Sequence, residues 1–194
     1  ELSGVKTAAF SLTLSTMDAT REIHYTTNGS IPTLSSTIYQ NPIQISQTTQ
    51  VIAMSWKNGV PDSLPSRCGY IFLDADMSSF NSNLPMVIIE NFGQGNFPQA
   101  STLSGGDVVQ KQFSVTAIYE PVSGRSYFTN PPSLVTNSGV KVRGSSSASF
   151  AKKSFGLDAW DNQNQEKDIS PLGMPESADW VLSGSRDIDQ TYIR

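Results

Sequence analysis

The stretch VKVRGSSSASFAKKSFGLDAW, residues 140–160, places three cations, Arg143, Lys152 and Lys153, on the two sides of a glycine followed by serines. A glycine frees the backbone at a turn, and serine hydroxyls and main-chain amides donate hydrogen bonds. Arginine adds a bidentate fork and lysine a point charge, so the chemistry within reach is the binding of an anion such as phosphate. Val140 and Val142 share one face of an extended chain while Lys141 and Arg143 share the other. Gly144 to Ser149 cannot continue a packed strand, so the pattern predicts a β-hairpin with a polar loop. On the return, Ala151, Lys153, Phe155 and Leu157 alternate against Lys152, Ser154 and Gly156. With Phe155 and Leu157 inward, Lys153 is carried on the inner face and Lys152 points to solvent. An inward lysine has three outcomes, a carboxylate partner, a snorkelling path to the sheet edge, or a bound anion, and the spacing leaves all three open.

Other reactive residue types lead less far. Cys68 is the only cysteine, inside the strand-like run SRCGYIFL, where a small buried thiol is expected. His24 is the only histidine and alternates away from Ile23 and Tyr25, so a Ser-His nucleophile pair has no base to draw on. Asp187 and Asp189 have the spacing of paired metal ligands but lack companion oxygen donors, and Asp189 before QTYIR is read as a helix N-cap. Gly93-x-Gly95 lacks the third glycine and the following helix of a dinucleotide loop.

These residues need a scaffold, and composition bounds it. A chain of 194 residues at 37% hydrophobic content supports one large core or two modest ones, and two small domains are expected. A net charge of -4 gives no general basic field, which argues against a nucleic-acid partner and makes any phosphate site a local one. There is no apolar run of about 18 residues, so no membrane-spanning segment is expected. Only 15% of residues are charged, and abundant Ser, Thr, Asn and Gln suit a secreted or cell-surface setting. The start at Glu1, without Met or a leader pattern, reads as a trimmed, soluble segment.

From Phe10 to Leu73 the chain alternates in short runs, FSLTLST, REIHYTT, TIYQNPIQI, TQVIAMSW and RCGYIFL, with tight-turn signals at Asn28-Gly29 and Asn58-Gly59. Such spacing predicts a small β-sandwich. LDADMSSFNSNLP then reads as a linker. PMVIIENFG follows as a continuous apolar strand, long enough to be buried on both faces, and KQFSVTAIYEP sets Phe113, Val115, Ala117 and Tyr119 on one side of a second sheet.

Residues 25–33, YTTNGSIPT, with the following Tyr39-x-x-Pro42-Ile43 strand and the Gly59 turn, resemble the immunoglobulin-like module at the C-terminus of chitobiases and hexosaminidases. Asn28 stands where that family usually has Asp, a change an αL turn tolerates. The resemblance covers about residues 5–73 and implies an accessory module without catalysis of its own. Farther on, Val142-Arg143-Gly144-x-Ser146, Phe150-Ala151-Lys152-Lys153-Ser154-Phe155, Leu172-Gly173-Met174-Pro175 and Asp179-Trp180-x-Leu182, in that order and preceded by Leu84-Pro85-x-Val87-Ile88, resemble the CotH family of spore-coat-type atypical protein kinases.

That second resemblance covers about residues 80–194. It implies a nucleotide-phosphate site in a β-rich N-lobe, with Arg143, Gly144, Ser145 and Lys153 as the candidate contacts. ATP with Mg or Mn is implied for a longer parent protein and no cofactor for this chain. Ala151 stands where the family often has Pro. The family's metal-binding and catalytic acids lie C-terminal to the Asp-Trp-x-Leu strand, so no catalytic residue is expected here.

The expected architecture is mainly β: an immunoglobulin-like β-sandwich over 1–74, a linker over 75–83, and a truncated CotH-like, partial kinase-like N-lobe over 84–194. The expected function is that of a non-catalytic fragment of a secreted or surface-anchored bacterial CotH-like protein whose full-length form binds ATP and phosphorylates protein Ser or Thr. The alternative is a module that binds a polysaccharide or another surface protein through aromatic platforms such as Tyr39 and Trp56.

Overall fold

The computed structural model describes residues 1–99, 110–144, 146–149 and 151–184. The chain is mainly β. In chain order the strands are β1 (Gly4–Lys6), β2 (Phe10–Leu12), β3 (Glu22–Thr26), β4 (Thr37–Ile38), β5 (Ile43–Ile45), β6 (Thr49–Lys57), β7 (Val60–Pro61), β8 (Ser66–Phe72), β9 (Asn81–Ser82), β10 (Met86–Glu90), β11 (Gln112–Tyr119), β12 (Ser126–Tyr127), β13 (Leu134–Arg143), β14 (Ser154–Trp160) and β15 (Asp179–Leu182).

The first eight strands make a sandwich. A large sheet runs β1-β8-β6-β3-β4, with β7 added to the end of β6, and faces the two-stranded pair β2-β5. Leu12 and Ile45 from the small sheet meet Val51 and Tyr70 from the large one, with Tyr25 and Phe72 around them. The alternation of Phe10 and Leu12 against Ser11 is what a half-buried strand requires, whereas β3 is covered on both faces, since His24, opposite in sense to Tyr25, is buried against Trp56.

Two features of this sandwich differ from the sequence reading. TIYQNPIQI is two strands rather than one: β4 joins the large sheet and β5 crosses to β2, with Pro42, which has no N–H to give a ladder, at the crossing. β1, preceding the first predicted strand, pairs in parallel with β8, Gly4 opposite Tyr70.

The remaining strands form a five-stranded antiparallel sheet, β10-β11-β13-β14-β15, with β9 and β12 paired beside it. β10 is an edge strand with Val87 42% exposed, so it is not the doubly buried strand its apolar run implied. The predicted linker is structured: Ala75–Ser79 is a 3₁₀ helix, Asn81 accepts a hydrogen bond from Arg125 Nε at 2.7 Å, and Phe80 stacks on Phe128.

One face of the five-stranded sheet lies against the outer face of β8. Ile71 shares a core with Phe113 and Val115, flanked by Val5, Ile88, Phe92 and Trp160. Gly69 is required by this approach, because a Cβ there would run into the Phe92 ring and come within 2.6 Å of Val115. Polar groups lock the same seam: Ser3 Oγ donates to Asn137 Oδ1 at 2.5 Å, Asn137 Nδ2 donates to the Arg67 carbonyl at 3.0 Å, and Arg67 N–H donates to the Asn162 carbonyl at 2.6 Å. Asn137 is buried, so these bonds satisfy groups that water cannot reach.

Candidate functional site at the β13–β14 hairpin

β13 and β14 pair in the register the alternation predicts. Val140 lies opposite Leu157, Val142 opposite Phe155, and Arg143 opposite Ser154. Val140, Val142 and Leu157 are buried on one face, while Lys141 lays its stem along Gly156 on the other, about 4 Å from where a Cβ would stand. β13 ends at Arg143, Gly144 follows at φ 101°, a conformation that favours glycine, and a 3₁₀ turn at Ser146–Ser149 leads back.

Lys153 precedes the first residue of β14 and is half-buried. Its Nζ donates to the Ala148 carbonyl at 2.5 Å and to Gln99 Oε1 at 3.4 Å. Gln99 is held there by a parallel bridge to Val142, next to the bond from Val142 N–H to the Pro98 carbonyl at 2.8 Å. Among the described residues no carboxylate pairs with Lys153. Of the three outcomes open to an inward lysine, the ammonium thus has neutral acceptors and no described counter-ion. The Lys153 carbonyl is covered by Gly184, where a Cβ would come within 2.6 Å of it.

The other candidates are dispersed. Arg143 and Gly144 are exposed, and the ladder puts the Arg143 side chain on the face of Ser154, opposite to that of Lys153 and Phe155. Ser145, Asp187 and Asp189 lie outside the described residues. Tyr39 is half-buried, its N–H bonded to the Ile23 carbonyl. Trp56 is 3% exposed and packs its ring 4.7 Å from that of His24, so the tryptophan offers no open stacking face to a sugar. His24 is buried, with Nδ1 3.1 Å from the Ser36 carbonyl. Burial raises the pKa of the Cys68 thiol, which keeps it protonated, as its strand position implied.

A charge cluster that the sequence reading did not single out lies on the Arg143 face. Lys111 forms an ion pair with Asp158 and stands 3.9 Å from Asp179 on the neighbouring strand. Burial pulls the Lys111 ammonium below its ordinary pKa, and Asp179 opposes that pull. Lys111 and Asp158 are 47 positions apart, so only the strand pairing brings them together.

Residues 140–194 match the CotH kinase protein family. Residues 2–66 match the chitobiase/beta-hexosaminidase C-terminal domain. The CotH match opens on β13 and takes in the hairpin with Lys153 and the last described strand, whereas residues 67–139 lie in neither matched range. No curated protein and no solved structure matches the chain. Among the described residues no helix is long and apolar enough to cross a membrane.

Proposed function

We propose that the β13–β14 hairpin holds the phosphates of a nucleotide weakly, with Lys153 as the charge contact and Gly144 as the point where backbone approaches the ligand. In this reading the chain is the non-catalytic, β-rich part of a secreted or surface-anchored CotH-like protein, whose longer form binds ATP with Mg or Mn and phosphorylates protein Ser or Thr. The observation that carries the reading is Lys153: a half-buried ammonium resting on a carbonyl and an amide oxygen, with no described carboxylate against it. Such an ammonium has no described counter-ion to give up when an anion arrives.

The described residues of the hairpin suit a phosphate. Among the described residues no group of three or more His, Cys, Asp or Glu side chains converges, and no residue is assigned to a divalent ion. When bound, a nucleotide supplies the transferable phosphoryl group; what this chain's residues do is place one positive charge and one flexible turn beside it. Arg143, on the opposite face, serves the approach of an anion to the hairpin end rather than a shared clamp with Lys153.

The test is a titration with ATP, following the amide resonances of Gly144, Ala148 and Lys153. The expected result is saturating shifts with a dissociation constant in the range of about 1 mM, weakened by salt and lost in Lys153→Met. No shift at about 10 mM ATP overturns the phosphate site. Transfer of labelled phosphate from ATP by this chain, abolished in Lys153→Met, overturns its non-catalytic standing.

A further inference from the structure

A cleft of about 600 Å³ opens where the β5–β6 turn of the first sandwich faces the end of β10. Its walls carry side chains of one chemical kind. Thr27, Gln44, Ser46, Gln47, Thr49 and Gln50 line it with hydroxyls and amides, and Phe92 and Ile43 supply the apolar part. Among the described residues Glu90 is its one charged residue, and no lysine or arginine lines it.

Several of these groups are already committed. Gln44 is bonded to Ser11, and Thr49 Oγ1 donates to the Gln47 carbonyl at 2.8 Å. Gln50 is different. It is 4% exposed overall and its Nε2 lies beside Gly29; its side-chain amide makes no hydrogen bond among the described residues, yet neither amide atom is sealed from solvent. An amide that reaches the cleft with no protein partner is available to donate to and accept from a ligand there.

The opposite wall is strained. Phe92 adopts φ 57°, a region that bulky side chains avoid, and is held there by Glu90, whose Oε1 accepts the Phe92 N–H at 2.5 Å. The following turn is braced as well: Asn91 Nδ2 donates to the Gly95 carbonyl at 2.6 Å and Gln112 Nε2 to the Gln94 carbonyl at 2.9 Å. Gln94 reaches back to Gly29, where a Cβ would come within 2.8 Å of its amide nitrogen. The Asn28-Gly29 turn therefore sits between Gln50 and Gln94, and both halves of the chain build the cleft.

We infer that this cleft binds a segment of a neutral polysaccharide. Among the described residues, a single carboxylate and no cation disfavour an anionic ligand, and one carboxylate is too few for a bound metal ion. Unpaired amides and hydroxyls on an uncharged wall match a ligand that presents many hydroxyls, while the Phe92 ring, committed to Phe113 and Gly69, closes the floor of the cleft rather than stacking on the ligand. The free edge of β5 offers only three residues to an added peptide strand, which favours the sugar. The site is independent of the hairpin and of Lys153.

The experiment titrates the chain separately with cellohexaose, maltohexaose, a chitin hexasaccharide and a Ser/Thr/Gly-rich hexapeptide, reading the side-chain NH₂ resonances of Gln47 and Gln50. The expected result is a saturable shift with at least one saccharide. Affinity falls about tenfold in Gln50→Ala and severalfold in Gln47→Ala, and does not change in Lys153→Met. Gln47 is exposed, so its variant tests the site even where Gln50→Ala fails to fold. Silence of both amides toward all three saccharides at about 10 mM, or a shift with the peptide alone, overturns the inference.

Discussion

Tyr119 is the side chain whose surroundings are least consistent with its chemistry. It is 1% exposed, packed edge-on to Phe128 with Met86 and Ala117 beside it, and its hydroxyl has no partner among the described residues. An unpaired buried hydroxyl costs about 1–3 kcal/mol, so Tyr119→Phe is expected to leave the melting temperature unchanged or raise it. A clear fall in thermal denaturation would show that the hydroxyl has a partner. Tyr70 is the contrasting case: its hydroxyl donates to the Glu1 carbonyl at 2.9 Å. Burial is the leading reason the pKa values of Tyr70, Tyr119 and Cys68 all lie above their ordinary values. A folded pKa raised above the unfolded one gives stability that is complete below the unfolded value and declines above it. The unfolded values are about 8.5 for cysteine and about 10 for tyrosine. Stability is therefore expected to fall as pH rises from about 8.5 through 11, read by urea denaturation at a series of pH values, and Tyr119→Phe should flatten part of that fall.

Among the strands, β14 shows how much local pattern can specify. Val140, Val142, Phe155 and Leu157 predict the face and register of the hairpin because a one-residue slip would bury Lys141 and Lys152. What the pattern could not reach is set by partners distant in sequence. Gln99 lies 54 positions from Lys153, and Lys111 meets Asp158 only after β11, β13 and β14 have paired. The sequence reading likewise missed β1 and the sheet change at Pro42, since a three-residue strand carries too few alternations to register. The Lys111–Asp158 pair supplies a test at this scale. Its side chains are 20% and 12% exposed, between a surface pair and a buried one. Asp158→Ala, which leaves Lys111 with the more distant carboxylates of Asp179 and Glu166, is expected to cost about 2 kcal/mol. Lys111→Met combined with Asp158→Leu should cost less than the two single changes added together, because the double variant strands no charge. Equal sums in urea denaturation would show that the two groups do not interact.

For the molecule as a whole, the decisive surface is the seam between β8 and the five-stranded sheet. The first sandwich has an inner core of its own in Leu12, Ile45, Val51 and Tyr70, which is the condition for residues 1–73 to fold alone. Its outer face, however, is completed by the other half: Ile71 and Val5 are covered by Phe113 and Val115, and Ser3 and the Arg67 backbone are bonded across to Asn137 and Asn162. Excising residues 1–73 returns that apolar surface to water at about 25 cal/mol per Å² and releases those hydrogen bonds. The excised segment is expected to melt cooperatively but about 10 °C below the intact chain, which should itself unfold in one transition because the seam couples the halves. Gly69→Ala puts the same coupling to a finer test. Its Cβ has to displace the Phe92 ring, so the intact chain should lose about 1–3 kcal/mol, while the excised segment, with no Phe92 above it, should be nearly unaffected. Calorimetry distinguishes the possibilities. Two separate transitions in the intact chain, or an equal loss on Gly69→Ala in both contexts, would mean that the halves fold independently and that the seam adds nothing to stability.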